Sequence, residues 1–210
     1  MAQIVSLPDA IAMAIHDRDS VAMEGFTHLI PHAAGQEVIR QCRRELTLIR
    51  MTPDVIYDQM IGAGCARKLV FSWAGNPGVG SLHRFRDAVE NAWPVPLELE
   101  EHSHAGMANR YVAGASGLPF AVLRPDVAVV HAQRADRAGN VQFWGITGVQ
   151  KEAVLAARRS VVTVEEIVDV LDPRPGAIVL PSWAVSYVAV VPAGAHPSYA
   201  LGYTARDNQF

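Results

Sequence analysis

Cysteine is scarce: the chain has only Cys42 and Cys65, far apart in sequence. They form no disulfide framework and no metal-ligand spacing, and a reducing cytoplasm is the expected home. Charge of one sign is also lacking. The net charge is −3 over 210 residues, so there is no basic footprint and no nucleic-acid partner is expected. No apolar run reaches the roughly 18 residues of a membrane span, and the first residues lack the basic-then-apolar order of a secretion signal. No membrane partner is therefore expected. Missing too are a Gly-x-Ser-x-Gly nucleophile elbow, a Gly-x-x-x-x-Gly-Lys-Ser/Thr phosphate loop and a Gly-x-Gly-x-x-Gly dinucleotide loop. There is no internal repeat, low-complexity tract or clear linker. Half the residues are hydrophobic and 19% are charged, which suits a folded α/β core.

What is present is organised around Met23-Glu24-Gly25-Phe26-Thr27-His28-Leu29, closed by Pro31. The short apolar run Ser20-Val21-Ala22-Met23 precedes it, and a helix-like segment, Ala33 to Arg44, follows. A strand entering a glycine-containing loop and then a helix is the usual ligand corner of an open α/β sheet. Gly25 suits either a positive φ or a close approach to the backbone, and amides near the helix start favour an anion. An ordinary βα turn has the same pattern.

The same alternation continues along the chain. Ser6, three residues before Asp9, reads as a helix cap. Val38, Ile39 and Cys42 fall on one side of the 33–44 helix. Leu46 to Ile49 reads as a strand, and Thr52-Pro53-Asp54 opens a helix that Gly62 and Gly64 close. The segment 68–73 is a strand leading to Gly75-Asn76-Pro77-Gly78-Val79-Gly80, and Ser81 is the expected cap of a helix to Asn91. Residues 97–100 form a short strand, followed by a small-residue helix to Ser116. Asp126 to His131 reads as a buried central strand, with a hairpin through Gly139-Asn140 to Trp144. A helix from Gly148 to Arg159 and strands at 160–164, 177–180 and 185–191 complete the pattern. The expected fold is an open, mainly parallel sheet with helices on both faces, with an antiparallel portion in the hairpin and the last strands.

Polar groups cluster at the expected carboxyl ends of strands, which share one edge of such a sheet. They are Glu24, Thr27 and His28, then Asn76 and Ser81, then Glu101, Ser103 and His104. Glu101, His102 and His104 read as an acid–base cluster or as a solvated loop; charged residues usually stay exposed, which favours the loop. No third ligand accompanies the two histidines, so no metal is expected. Glu165-Glu166 is a carboxylate pair or a charge bias at a helix start, the second being favoured. His196-Pro197-Ser198 reads as a shaped loop near the site.

Taken in order, several landmarks resemble the alpha subunit of class I CoA-transferases, the glutaconate CoA-transferase type in particular. They are the segment Asp19 to Thr27, Asn76 to Gly80, Gly117-Leu118-Pro119-Phe120, Pro125 to Gln133, Gly139-Asn140, Val164-Glu165-Glu166-Ile167, Gly194 to Ser198, and Asp207-Asn208-Gln209-Phe210. The resemblance implies a CoA-transferase-like α/β fold over residues 1–210 as one domain. It implies exchange of CoA between an acyl-CoA and a carboxylic acid, with coenzyme A as substrate and no permanently bound cofactor. It also implies a beta subunit that supplies the nucleophilic glutamate, since the Ser-Glu-Asn-Gly-like motif is absent here. This chain would then offer substrate- and CoA-binding groups: Gly25, Phe26, Thr27, Asn76, Pro77, Gly78, Val79, Gly80 and Ser103. The chain departs from the family pattern in three places. Glu24 replaces the first glycine of the usual Gly-Gly-Phe. Only Ala121 to Arg124 link the Leu-Pro-Phe and Pro-Asp-Val landmarks, where relatives have a longer loop. Relatives also continue past the last landmark into a helical tail. A CoA-ester hydrolase on the same scaffold, including ring-opening types, is the rival reading. In it Glu24, Glu101 or His104 would activate water. A non-catalytic CoA- or sugar-phosphate-binding module is a third.

Overall fold

The computed structural model of the chain describes residues 2–75 and 81–209. Its elements are β1 (Gln3–Ile4), α1 (Leu7–Ala14), β2 (Ser20–Met23), α2 (His32–Arg40), β3 (Leu46–Arg50), α3 (Val55–Gly62), β4 (Ala66–Phe71), α4 (His83–Asn91) and β5 (Glu98–Glu101). There follow α5 (His104–Ala115), β6 (Val127–Asp136), β7 (Val141–Phe143), α6 (Gln150–Ala156), β8 (Arg159–Val168), β9 (Ile178–Leu180) and β10 (Tyr187–Val190). Among the described residues no helix is long and apolar enough to cross a membrane.

The strands form one sheet in the order β1-β10-β8-β6-β2-β3-β4-β5, and all these neighbours are parallel. The period of two along each strand sends alternate side chains to opposite faces. Val21, Met23, Leu48, Val127 and Val129 pack with Ile11, Val38, Tyr57 and Met60 on one face. Ala22, Ile49, Val70, Ala128 and Val130 pack with Met107, Tyr111, Ala153 and Val154 on the other. A parallel sheet needs both faces covered, and α1 to α4 and then α5 and α6 cover them. The expected α/β architecture, with helices on both faces, is what the chain adopts.

Several local expectations are corrected. The helix after the glycine loop ends at Arg40, not Arg44. The segment 41–45 must reverse the chain into β3, and it does so with left-handed backbone at Cys42 and Glu45. Cys42 is consequently exposed rather than on the core face. Ser81 does not cap α4, which starts at His83 with no side-chain cap. The helix expected over 148–159 is the shorter α6, because Arg159 already pairs with Val127 at the start of β8. Glu165 and Glu166 lie inside β8 rather than at a helix start. Long pairing with β6 places Glu166 opposite Arg134, a favourable cross-strand charge pair. Of the last strands, β9 is antiparallel to β7, which is itself antiparallel to β6. β10 is parallel to β8.

Candidate functional site

The sheet reverses its winding between β2 and β6. From β2 the chain proceeds outward through β3, β4 and β5, whereas β6 begins the half that runs through β8 and β10 to β1. Ligands of open α/β sheets bind outside the carboxyl ends of strands at such a point. The loop after β2 leaves from this crevice.

Glu24 is the first residue of that loop and is 3% exposed. One carboxylate oxygen accepts the Tyr111 hydroxyl at 2.8 Å and the Met51 amide at 3.2 Å. Burial pushes its pKa above the usual glutamate value, while the nearby Arg50 guanidinium, the Tyr111 hydroxyl and the Met51 amide oppose that rise. Arg50, at the end of β3, is 1% exposed and donates to the Gly25 carbonyl at 2.9 Å. It also pairs with Asp54 at 2.9 Å and lies 5.5 Å from the Tyr57 ring. Asp54 in turn caps α3 through the Ile56 amide. Tyr57 accepts from the Met23 amide and donates to the Ile49 carbonyl, satisfying backbone groups where β2 and β3 end. Glu24, where the resemblance implies a glycine, is therefore absorbed into a buried polar network under the loop.

Gly25 owes its place to close approach and not to a left-handed φ. A Cβ there would stand 2.7 Å from the Leu29 carbonyl oxygen and 2.9 Å from Ile30 Cα. The unusual backbone falls on Thr27 (φ 56°) and Leu29 (φ 54°). A β-branched residue in the left-handed region costs roughly 1–3 kcal/mol, and such strain collects at functional sites. The C-terminal part of the chain holds it in place. Ser198 donates to the Thr27 carbonyl at 2.9 Å, and the Leu29 amide donates to the Tyr199 carbonyl. The His28 ring accepts the Leu201 amide and bonds the Ile146 carbonyl through its other nitrogen. Burial lowers the His28 pKa, consistent with a neutral ring.

Over this loop lies a cavity of ≈ 280 Å³. Phe26, Ile30, Val55 and Trp73 give it apolar walls, and Thr27, His32, Thr52, His104 and Arg206 line it with polar groups. His32 is 5% exposed, and its ring has no hydrogen-bond partner among the described residues. Burial takes its pKa to about 4, with Asp54 raising it and Arg50 and His196 lowering it further. The folded state thus favours neutral His32, whereas the unfolded chain takes up a proton near pH 6.5. Stability that is fully present above pH 6.5 is lost as pH falls toward 4, by on the order of 3 kcal/mol. His32→Asn is expected to flatten that part of the stability–pH curve, as measured by urea unfolding at pH 7 and pH 4.5.

The other sequence-derived candidates separate. Phe26, Thr27 and His104 line the cavity, and Gly25 packs against the backbone of Ile30, another lining residue. Gly75 also lines it; Asn76, Pro77, Gly78, Val79 and Gly80 lie outside the described residues. Ser103 spends its hydroxyl as the cap of α5, accepting from the Gly106 amide. Glu101 is exposed at the end of the edge strand β5, away from the cavity lining. Sequence reasoning misses Arg50, Asp54, His32, Tyr111 and Arg206 as parts of the site. Arg50 is within reach of the edge argument, as a cation ending the apolar strand Leu46 to Ile49. Tyr111 and Arg206 carry no signal, because only the fold brings them here.

The family model for coenzyme A transferase matches residues 4–125 and 121–190. The chain is 57% identical over 243 residues to the A-type subunit of 3-oxoadipate CoA-transferase from Pseudomonas knackmussii, covering 100% of this chain and 86% of that one. It is 28% identical to the A-type subunit of glutaconate CoA-transferase from Acidaminococcus fermentans, covering 100% of this chain and 81% of that one. The crystal structure of that glutaconate coenzyme A-transferase superposes with a TM-score of 0.89 at 26% identity, over 99% of this chain and 81% of that one. The crystal structure of a variant of the decarboxylase AibA/AibB superposes with a TM-score of 0.88 at 26% identity, over 99% and 90% of the two chains.

Proposed function

The chain belongs to the coenzyme A transferase family, as a subunit of the alpha type, and from that premise we propose that its enzyme moves CoA to and from a dicarboxylic 3-oxo acid. The observation that carries this reading is the 57% identity, over the whole chain, to a subunit whose enzyme is named for 3-oxoadipate. The partner is a beta subunit that brings the attacking glutamate, and the setting is the cytoplasm, where the free thiols of Cys42 and Cys65 stay reduced.

The reaction then runs in balanced steps. The partner's carboxylate attacks the thioester carbonyl, releasing CoA thiolate and leaving an acyl–glutamyl anhydride. The thiolate attacks the glutamyl carbonyl, freeing the donor acid and leaving a glutamyl thioester. An acceptor acid reverses both steps. Splitting the exchange this way is the gain of covalent catalysis. The part assigned to this chain is to seat the acyl group. The amides of Gly25, Phe26 and Thr27 make no hydrogen bond among the described residues, and they stand beside the cavity as donors for developing oxyanions.

The test is exchange between adipyl-CoA and labelled 3-oxoadipate. This chain alone is expected to be inactive, and the chain mixed with its beta subunit to transfer CoA without net thioester loss. Turnover by the single chain, or hydrolysis of the donor without an acceptor, overturns the reading.

A further inference from the structure

The cavity beside the glycine loop is too small for a whole CoA ester. Its ≈ 280 Å³ falls just under the roughly 300–1,000 Å³ of sites that enclose drug-sized ligands, so it suits the acyl group alone. Most of its charged side chains are paired, although Nε of Arg50 has no hydrogen-bond partner among the described residues. Arg50 is buried against Asp54 and the Gly25 carbonyl. Asp207 faces His196 at 3.4 Å and accepts the Gln209 amide. Arg206 differs: it lines the cavity, is exposed, and has no ion pair or hydrogen bond among the described residues. The same space is lined by the His32 ring, nineteen-twentieths buried and likewise without a hydrogen-bond partner among the described residues. A cation and a ring N–H without partners among the described residues, in one cavity with apolar walls, complement a short methylene chain ending in a carboxylate.

We propose that this cavity is the subsite for the remote carboxylate of the acyl group, with Arg206 as its counter-charge and His32 as a hydrogen-bond donor. Arg206 is then a specificity-determining residue, selecting dicarboxylic over monocarboxylic substrates. A monocarboxylic acyl group leaves Arg206 in water and gains nothing from it. A dicarboxylic one gains a charge-assisted hydrogen bond shielded on one side by Phe26 and Trp73. This inference rests on the dicarboxylate reading of the enzyme and adds the residues that would enforce it.

The experiment uses one fixed donor and the chain assembled with its beta subunit. It compares kcat/KM for 3-oxoadipate with that for 3-oxohexanoate, which has the same chain length and lacks the second carboxylate. Arg206→Gln is expected to lower the value for 3-oxoadipate about 30-fold and to leave that for 3-oxohexanoate within about threefold. Arg206→Lys is expected to restore most of the preference. Equal losses on both acids, or an unchanged preference in Arg206→Gln, overturn the proposal. Calorimetric titration of adipate and hexanoate into the same complexes reads the preference without turnover. Wild-type complex that fails to favour adipate, or an Arg206→Gln complex that still favours it, overturns the proposal by that route. A wild-type complex that binds adipate preferentially yet exchanges no CoA onto 3-oxoadipate overturns the proposed function and leaves the subsite standing.

Discussion

Gly25→Ala lowers kcat/KM of the assembled enzyme about 100-fold, with far-ultraviolet circular dichroism unchanged. The added methyl would sit 2.7 Å from the Leu29 carbonyl oxygen and 2.9 Å from Ile30 Cα. Both are backbone atoms, so no rotamer change relieves the clash, and the segment 25–30 must move as a unit. That segment carries Phe26, Thr27 and Ile30 of the cavity wall, and its end is pinned by Ser198 and Tyr199. A misplacement near 1 Å in a positioning element costs on the order of 100-fold. Steady-state exchange kinetics check this, and a loss under threefold would show that the loop does not position substrate.

Arg50→Met produces the largest loss of stability. Arg50 is 1% exposed and compensates Asp54 and the Gly25 carbonyl, and it opposes the desolvation of Glu24. Removing one member of a buried ion pair costs about 3–5 kcal/mol, because the other charge stays behind without compensation. For a chain of this length that corresponds to a fall in Tm of on the order of 10 °C. The sign of the pH dependence follows from Glu24. Its folded pKa already lies above the ordinary 4.5, and losing Arg50 raises it further. A raised carboxylate pKa favours the protonated folded state, so stability falls as pH rises beyond 4.5. The variant should therefore be closer to wild type at pH 5 than at pH 7.5 by calorimetry. Glu24→Gln in the same background should recover part of the loss at pH 7.5. An Arg50→Met protein that melts within about 2 °C of wild type would remove Arg50 from its assigned place under the loop.

The sequence determined the architecture because the fold is written in local periodicities. Short strand formers alternate with helical segments, the cap Ser6 sits where the pattern places it, and α3 opens at the expected Thr52-Pro53-Asp54. The Gly25 corner is legible for the same reason, as a strand, a glycine and a helix in immediate succession. Local reading fails where tertiary pairing overrides propensity. Glu165 and Glu166 follow β8 because β6 extends alongside, with Glu165 bonded to buried His131. The last turn expected of α2 unwinds because the chain must turn into β3.

Only the tertiary structure decided what surrounds the Gly25 loop. Tyr111 reaches Glu24 across 87 positions of sequence, and Ser198 reaches Thr27 across 171. No periodicity encodes such contacts, since they depend on which strand ends the sheet order brings together. The same holds for Arg206, which comes to the cavity through the path of the chain after β10. A charge reads as a solvated surface group from sequence until the fold shows which wall it joins.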